Sequence, residues 1–384
     1  MNRTIAAALA LAAGVIPGIS AAAPATPVPT RDYFNDTYKA ERVLDWGERP
    51  VWSFDSSKIA FTIDDEHAGP AYELDVATRK VRCITCKWGA SAFVSRIYYL
   101  ADGSYLISGP LSLATAESMI APKPRVPGKT ELYWMPADGS TPPQALGAVA
   151  GGEIAIDYDH SPEGTTRIAW GEFGAVNRMV VGDVVNDGKR AWLVNRTQLY
   201  SNPPAPNGTR ATLTETYDFI DDGKSILFYT IETGLPTTSM YKLEMATGKV
   251  TAMPTDGQHN ETHSFPDVRY GLEESNRAAD STSPYRAVSG HRTPLLQWLL
   301  DQNKTPDSAA IAEKYANKPF DLYLVDWNTG KRRRLSNTFE MGGEAHQSSP
   351  ARDGARIAYA VRPALNMKFT GQPGLYIGTF SKGK

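Results

Sequence analysis

The chain has 384 residues, 40 Lys and Arg against 42 Asp and Glu, and a formal net charge of −2. That balance supplies no basic field, so nucleic acid is not expected as a partner. Aromatic residues at 10%, with 32 Gly and 27 Pro, suit many short strands joined by turns rather than a helical bundle.

The chain opens "MNRTIAAALALAAGVIPGISAAAPATP", with Arg3 ahead of an apolar run from Ile5 to Ile16 and small residues at Ala21 to Ala23. The run is too short for a bilayer and reads as a cleaved export signal over residues 1–23. A linker rich in Ala, Pro and Thr is expected over 24–38, and a single domain over 39–384. No other apolar run reaches the roughly 20 residues a membrane helix needs. A secreted or periplasmic monomer without a membrane span is the expectation. Asn-x-Thr sites at Asn35, Asn195, Asn207, Asn260 and Asn303 accord with a secretory route.

The two cysteines, Cys83 and Cys86, are spaced C-x-x-C. In an exported chain that spacing favours a local structural disulfide, with free thiols and redox chemistry left open. Zinc would need two further ligands that no second C-x-x-C supplies.

Beyond the linker the strands recur in phase. "PVWSFDSSKIAFTI" leads to "AYELDVATRKVRCIT", "RIYYLADGSYLISG" to "ELYWMPADGSTPPQAL", and "DYDHSPEGTTRIAWG" to "RMVVGDVVNDGKRAWLV". "ETYDFIDDGKSILFYT" leads to "MYKLEMATGKVTAMP", "ETHSFPDVRYGLEES" to "DLYLVDWNTGKRRRLS", and "EAHQSSPARDGARIAYAV" to "GLYIGTF". Each copy offers three or four strands that cannot cover both faces alone, so the copies must stack. Radial stacking predicts an all-β six-bladed β-propeller, with seven blades as the alternative. The last copy lacks an outer strand, which "AERVLDW" (40–46) can supply. Copy five carries a short helical insertion at about 278–318, where Thr305-Pro306-Asp307 reads as a helix start. A second insertion, Pro-rich, spans 109–129.

"PVWSFDSSKIAF", "DHSPEGTTRIAW" and "DLYLVDWNTGKRRRLS" resemble the repeat of TolB-type (PD40/WD40-like) propellers. "RCITC" and "PDVRYGLEESNR" are similar to segments of secreted saponin-hydrolase-type propellers. The E-x-H strings at Glu261 and Glu344 resemble those of metal-dependent oligogalacturonate-lyase-type propellers. The resemblance implies a carbohydrate-active enzyme, a lyase or hydrolase cleaving glycosides that carry a uronic acid such as glucuronate. The alternative is a non-catalytic propeller that binds a protein or glycan.

The first strand of each blade lines the central channel of a propeller, so residues at blade starts converge. Those are Trp52, Tyr98, Asp157, Tyr158, His160, Glu215, Tyr217, Glu261, His263, Glu344, His346 and Gln347. Three of the six histidines fall there. His263, His346 and Tyr217 are the candidate acid–base residues. Arg277 and Arg292 could clamp a carboxylate, with His160 and His291 also binding substrate. His263, His346, Gln347 and Glu261 could hold a divalent metal such as Ca, Mn or Zn. Hydrolysis would instead use paired carboxylates, Glu261 with Glu344 or Asp157 with Asp159. The competing reading makes these histidines and glutamates structural or solvated. No G-x-S-x-G elbow and no H-E-x-x-H is present. The basic "GKRRRLS" (330–336) is expected in a solvent-facing hairpin.

Overall fold

The computed structural model describes residues 31–63, 69–88, 94–109, 131–160, 165–172, 178–201, 213–231, 238–254, 260–275, 320–364 and 368–383. The expected leader and the insertion at 278–318 lie outside them.

The described strands form six four-stranded antiparallel sheets, and so six blades rather than seven. Blade 1 is β2 (Glu48–Trp52), β3 (Lys58–Thr62), β4 (Ala71–Asp75) and β5 (Val81–Cys83). Blade 2 is β6 (Arg96–Tyr99), β7 (Tyr105–Gly109), β8 (Glu131–Met135) and β9 (Gln144–Val149). Blade 3 is β10 (Gly151–Ile156), β11 (Thr165–Glu172), β12 (Arg178–Asn186) and β13 (Ala191–Ser201). Blade 4 is β14 (Leu213–Ile220), β15 (Ser225–Ile231), β16 (Thr238–Glu244) and β17 (Lys249–Ala252). Blade 5 is β18 (Asn260–Ser264), β19 (Tyr270–Ser275), β20 (Asp321–Asp326) and β21 (Arg332–Arg334).

Blade 6 joins the two ends of the chain. Its strands are β22 (Gly343–Pro350), β23 (Arg356–Pro363), β24 (Gly374–Ser381) and, outermost, β1 (Thr37–Arg42). β1 pairs from Thr37↔Ser381 to Arg42↔Tyr376, so the closing strand lies a few residues before the expected 40–46. Residues 31–36, expected as linker, are packed as well. Tyr33 is fully buried against Phe265 and Phe380, and its hydroxyl donates to the Gly354 carbonyl at 2.6 Å. An aromatic residue buried this way stabilises by about 1.5–3 kcal/mol, so the packed domain begins before residue 39.

The core is divided among the interfaces between blades. Trp134, Ile154 and Trp170 join blades 2 and 3, Phe61, Ala360 and Leu375 join blades 1 and 6, and Phe228 with Ala169 and Met179 joins blades 3 and 4. In blades 2, 4 and 6 the inner strand turns back to its neighbour through an Asp-Gly pair. Gly103 takes φ +82 and Gly354 φ +64, left-handed values that favour glycine. Copy five has "FPDVR" instead, and Val268 occupies the same position at φ +51, a costly place for a β-branched residue.

Cys83 and Cys86 are disulfide-bonded just beyond β5, on the outer rim of blade 1. No helix among the described residues is long and apolar enough to cross a membrane.

Candidate functional site

The inner strands break their ladders at one level of the channel. β2 pairs Glu48↔Thr62 and then Val51↔Ala60, so Arg49 and Pro50 face one partner residue. In β10 the pairing skips from Gly151 to Ile154, releasing Gly152 and Glu153. In β14 it passes from Thr216 to Asp218, leaving Tyr217 as the extra residue. In β22 it jumps from His346 to Ser349 across Gln347 and Ser348. A bulge re-aims side chains, and bulges collect beside functional sites. Arg49 at φ +53 and Gln347 at φ +54 carry left-handed backbone here, a strain that also concentrates at such sites.

The re-aimed side chains meet in one pocket. Its lining includes Arg49, Arg96, Tyr98, Glu153, Tyr217, Asp218, Glu261, His263, Glu274, Gln347 and Ser348. The cavity measures about 50 Å³, room for one functional group or a water or two rather than a whole sugar ring. The same lining includes the apolar side chains of Val51, Ile97, Ile154 and Ile156, and the Tyr158 ring. Phe54 packs against Tyr158 at 4.7 Å, and Arg352 lies over the Tyr158 ring.

One wall holds two arginines on a single carboxylate. Glu153 Oε1 accepts from Arg49 Nη1 at 2.9 Å and pairs with Arg96 Nε at 2.6 Å, and its Oε2 accepts from the Tyr98 hydroxyl at 2.6 Å. Arg49 Nη1 also donates to Gln347 Oε1 at 2.8 Å. Burial works to raise the Glu153 pKa, but Arg96, Arg49 and the Tyr98 hydroxyl outweigh it and hold the group below the usual range.

The opposite wall comes from blades 4 and 5. Asp218 Oδ2 lies 3.2 Å from His263 Nδ1 and accepts the Ser264 backbone N–H at 2.8 Å. The Tyr217 ring sits edge-on to the His263 ring at 4.8 Å, and its hydroxyl donates to Glu261 Oε2 at 3.1 Å. Burial lowers the His263 pKa, but Asp218, then Glu153 and Glu274, reverse the effect and raise it. Burial, reinforced by Glu261, raises the Tyr217 pKa far above its ordinary value, so that hydroxyl keeps its proton.

Two more carboxyls underlie this wall. Glu274 faces Glu261 across β18 and β19, and its Oε1 accepts from the Ser348 N–H at 2.6 Å and the Ser348 hydroxyl at 3.0 Å. Burial and then Glu261 raise its pKa against the opposing effect of His346. Glu215, 7% exposed, is pushed up to about 7, first by burial and then, against Arg96, by Glu261 and Glu153. It packs beneath the blade 3 bulge. A Cβ on Gly152 (φ +70) would lie 2.2 Å from Glu215 Oε1, so only glycine fits that position.

Of the residues singled out from sequence, His263, Tyr217, Glu261, Gln347, Tyr98 and Tyr158 line this pocket. His346 does not line it. It is 3% exposed, with Nε2 3.0 Å from Glu48 Oε2 across the junction of blades 6 and 1. The metal set His263, His346, Gln347 and Glu261 is therefore not assembled, and among the described residues no three His, Cys, Asp or Glu side chains form a metal-holding group.

Trp52 ends β2, and Asp157, Tyr158 and His160 follow the end of β10. In copy three "DHSPEG" marks the hairpin after the inner strand, so the true start lies upstream at Gly151. His160 pairs there with Asp157 at 3.1 Å, and Asp157 also receives Arg167. Asp159 is paired with Arg352 and Glu344 with Arg362, and neither lines the pocket. Arg277, His291 and Arg292 lie outside the described residues. Sequence reading missed Arg49, Arg96, Glu153, Asp218 and Glu274. The adjacent "ERPVW", "RIYY" and "GGEIAID" were the available signals.

No protein-family model and no curated protein matches this chain. Solved propellers are similar in structure at low identity. TolB from Acinetobacter baumannii is 11% identical over 86% of this chain and 66% of its own, with a TM-score of 0.43. The calcium-binding protein regucalcin from Agrobacterium tumefaciens is 13% identical over 90% and 96%, at 0.49. An oligogalacturonate lyase from Vibrio parahaemolyticus is 9% identical over 90% and 97%, at 0.45. These likenesses concern architecture, which the strand pairing of this chain already establishes, and carry no chemistry to it.

Proposed function

We propose that the protein is an exported enzyme that cleaves a glycoside carrying a uronic acid at the channel pocket. The observation that carries this reading is the coincidence of four inner-strand bulges at one level, which bring Arg49, Glu153, Tyr217, Asp218 and Gln347 together. A fold that needed only stability would keep those ladder bonds. The wall of Arg49 and Arg96 suits a substrate carboxylate. The facing wall supplies an imidazole, a phenol that keeps its proton and a carboxylate, sufficient for acid–base catalysis. The cavity takes one group of the sugar while the remainder lies above it.

The same cavity size favours a second reading, a propeller that holds one glycan group without cleaving it. Incubation of the protein with glucuronate and galacturonate glycosides, followed by mass spectrometry and absorbance of unsaturated uronate, separates the readings. Product that disappears in His263→Gln supports cleavage. Unsaturated uronate identifies elimination, and saturated sugar identifies hydrolysis. Saturable binding without product supports the second reading, and neither binding nor product removes both.

A further inference from the structure

We propose that Asp218 is a positioning residue that pins the Nδ1 edge of His263 and commits Nε2 of that ring to proton transfer in the pocket. The proposal rests on the acid–base reading of the pocket. It concerns a residue that no sequence motif marks.

The bulge in β14 is what makes the contact. In a regular strand Tyr217 and Asp218 would point to opposite faces of the sheet. With Tyr217 as the extra residue, both line the channel. Asp218 then reaches from blade 4 to blade 5, where Oδ2 lies 3.2 Å from His263 Nδ1 and also accepts the Ser264 N–H at 2.8 Å. The second bond fixes the carboxylate, so the ring is held by a group that is itself held. The edge of Tyr217, 4.8 Å away, limits rotation from the other side.

A carboxylate accepts only from a protonated nitrogen. Neutral His263 is therefore the Nδ1–H tautomer, with its lone pair on Nε2. Protonation places the second N–H on Nε2, the atom that then gives up or receives a proton. The groups facing the ring are Asp218 and Tyr217 from β14, Glu153 from β10, Glu274 from β19 and Glu261 from its own strand. From β22 come neutral Gln347 and Ser348, with His346 beyond Glu274, and from β2 and β6 come the cations Arg49 and Arg96, both held on Glu153. The carboxylates all favour the imidazolium, so removal of Asp218 should lower the titration midpoint of the ring.

Ring-nitrogen NMR of the full chain tests the contact without a substrate. The expected wild-type result is the Nδ1–H tautomer and a midpoint above that of an ordinary histidine. Asp218→Asn should mix the tautomers and lower the midpoint, while Asp218→Glu should keep the Nδ1–H form. An Nε2–H tautomer in the wild type, or an unchanged tautomer and midpoint in a folded Asp218→Asn protein, overturns the proposal. The wild-type arm decides even where the variant fails to fold. With a cleavable glycoside in hand, Asp218→Asn should lower kcat by up to about 10²-fold at little changed KM and move the limb of the pH profile set by His263 to lower pH. Absence of cleavage by the wild type removes the enzyme reading, while the tautomer still reports on Asp218.

Discussion

Glu261 and Glu274 stand directly opposite each other on β18 and β19 and both line the channel pocket. Like charges in that register repel, and burial adds to the penalty. The conflict shows in the titration of the buried acids. Glu274 is raised by burial and by Glu261, and Glu215 nearby is raised to about 7 by burial and then by Glu261 and Glu153 against Arg96.

A pH dependence of stability follows. A carboxyl with a raised folded-state pKa contributes stability that is complete below its unfolded pKa and is lost as pH climbs through the folded value. For Glu215 that window runs from 4.5 to about 7, a difference of about 3 kcal/mol. Urea unfolding at about pH 5 and about pH 8 should show wild-type stability falling across the interval and Glu215→Gln flattening the fall. An identical slope in the variant contradicts the assignment.

The arginine wall gives a second expectation. Arg96→Gln leaves Glu153 buried with one cation instead of two. Breaking such a pair costs about 3 kcal/mol, and the Glu153 carboxyl should titrate at higher pH. Calorimetry with free glucuronate should show weaker binding to Arg96→Gln and to Arg49→Gln, and least binding to the double variant. Undiminished binding would show that the arginine wall does not hold the substrate carboxylate.

His346 and His263 should separate cleanly. His346→Gln disturbs a buried contact with Glu48 between the last and first blades and should lower Tm while leaving turnover in place. His263→Gln should abolish turnover and leave Tm nearly unchanged. The reverse pattern, read from melting curves and initial rates, would return His346 to the catalytic centre.

Val268 offers a test of the turn chemistry. Left-handed backbone costs a non-glycine residue about 1–2 kcal/mol, and glycine pays about 0.5–1 kcal/mol in added chain entropy. Val268→Gly should therefore be neutral or stabilising by up to about 1.5 kcal/mol, unlike most substitutions to glycine. Denaturant midpoints of the two proteins decide it.

These contrasts show what was legible in the chain. The repeat of turn, strand and hairpin was visible because Asp-Gly pairs in most copies, and alternating apolar residues in all, mark the blades. The closing strand was visible because one copy came up short. His263, Tyr217, Glu261 and Gln347 followed from the phase of the copies. Arg49, Glu153 and Asp218 did not, because a bulge leaves no fixed mark in sequence and inverts the face its neighbours point to. Glu274 was hidden for a different reason, as it comes from the second strand of its blade. His346 occupies the right phase and still misses the pocket, since the bulge after it turns Gln347 and Ser348 inward in its place.

Acid–base cleavage of a uronate glycoside in the channel pocket is best tested by time-resolved mass spectrometry of a uronate-bearing oligosaccharide incubated with wild-type protein, His263→Gln and His346→Gln in parallel. Cleaved product is expected from the wild type and from His346→Gln, and none from His263→Gln. Equal product from all three, or loss of product with His346→Gln alone, would contradict it.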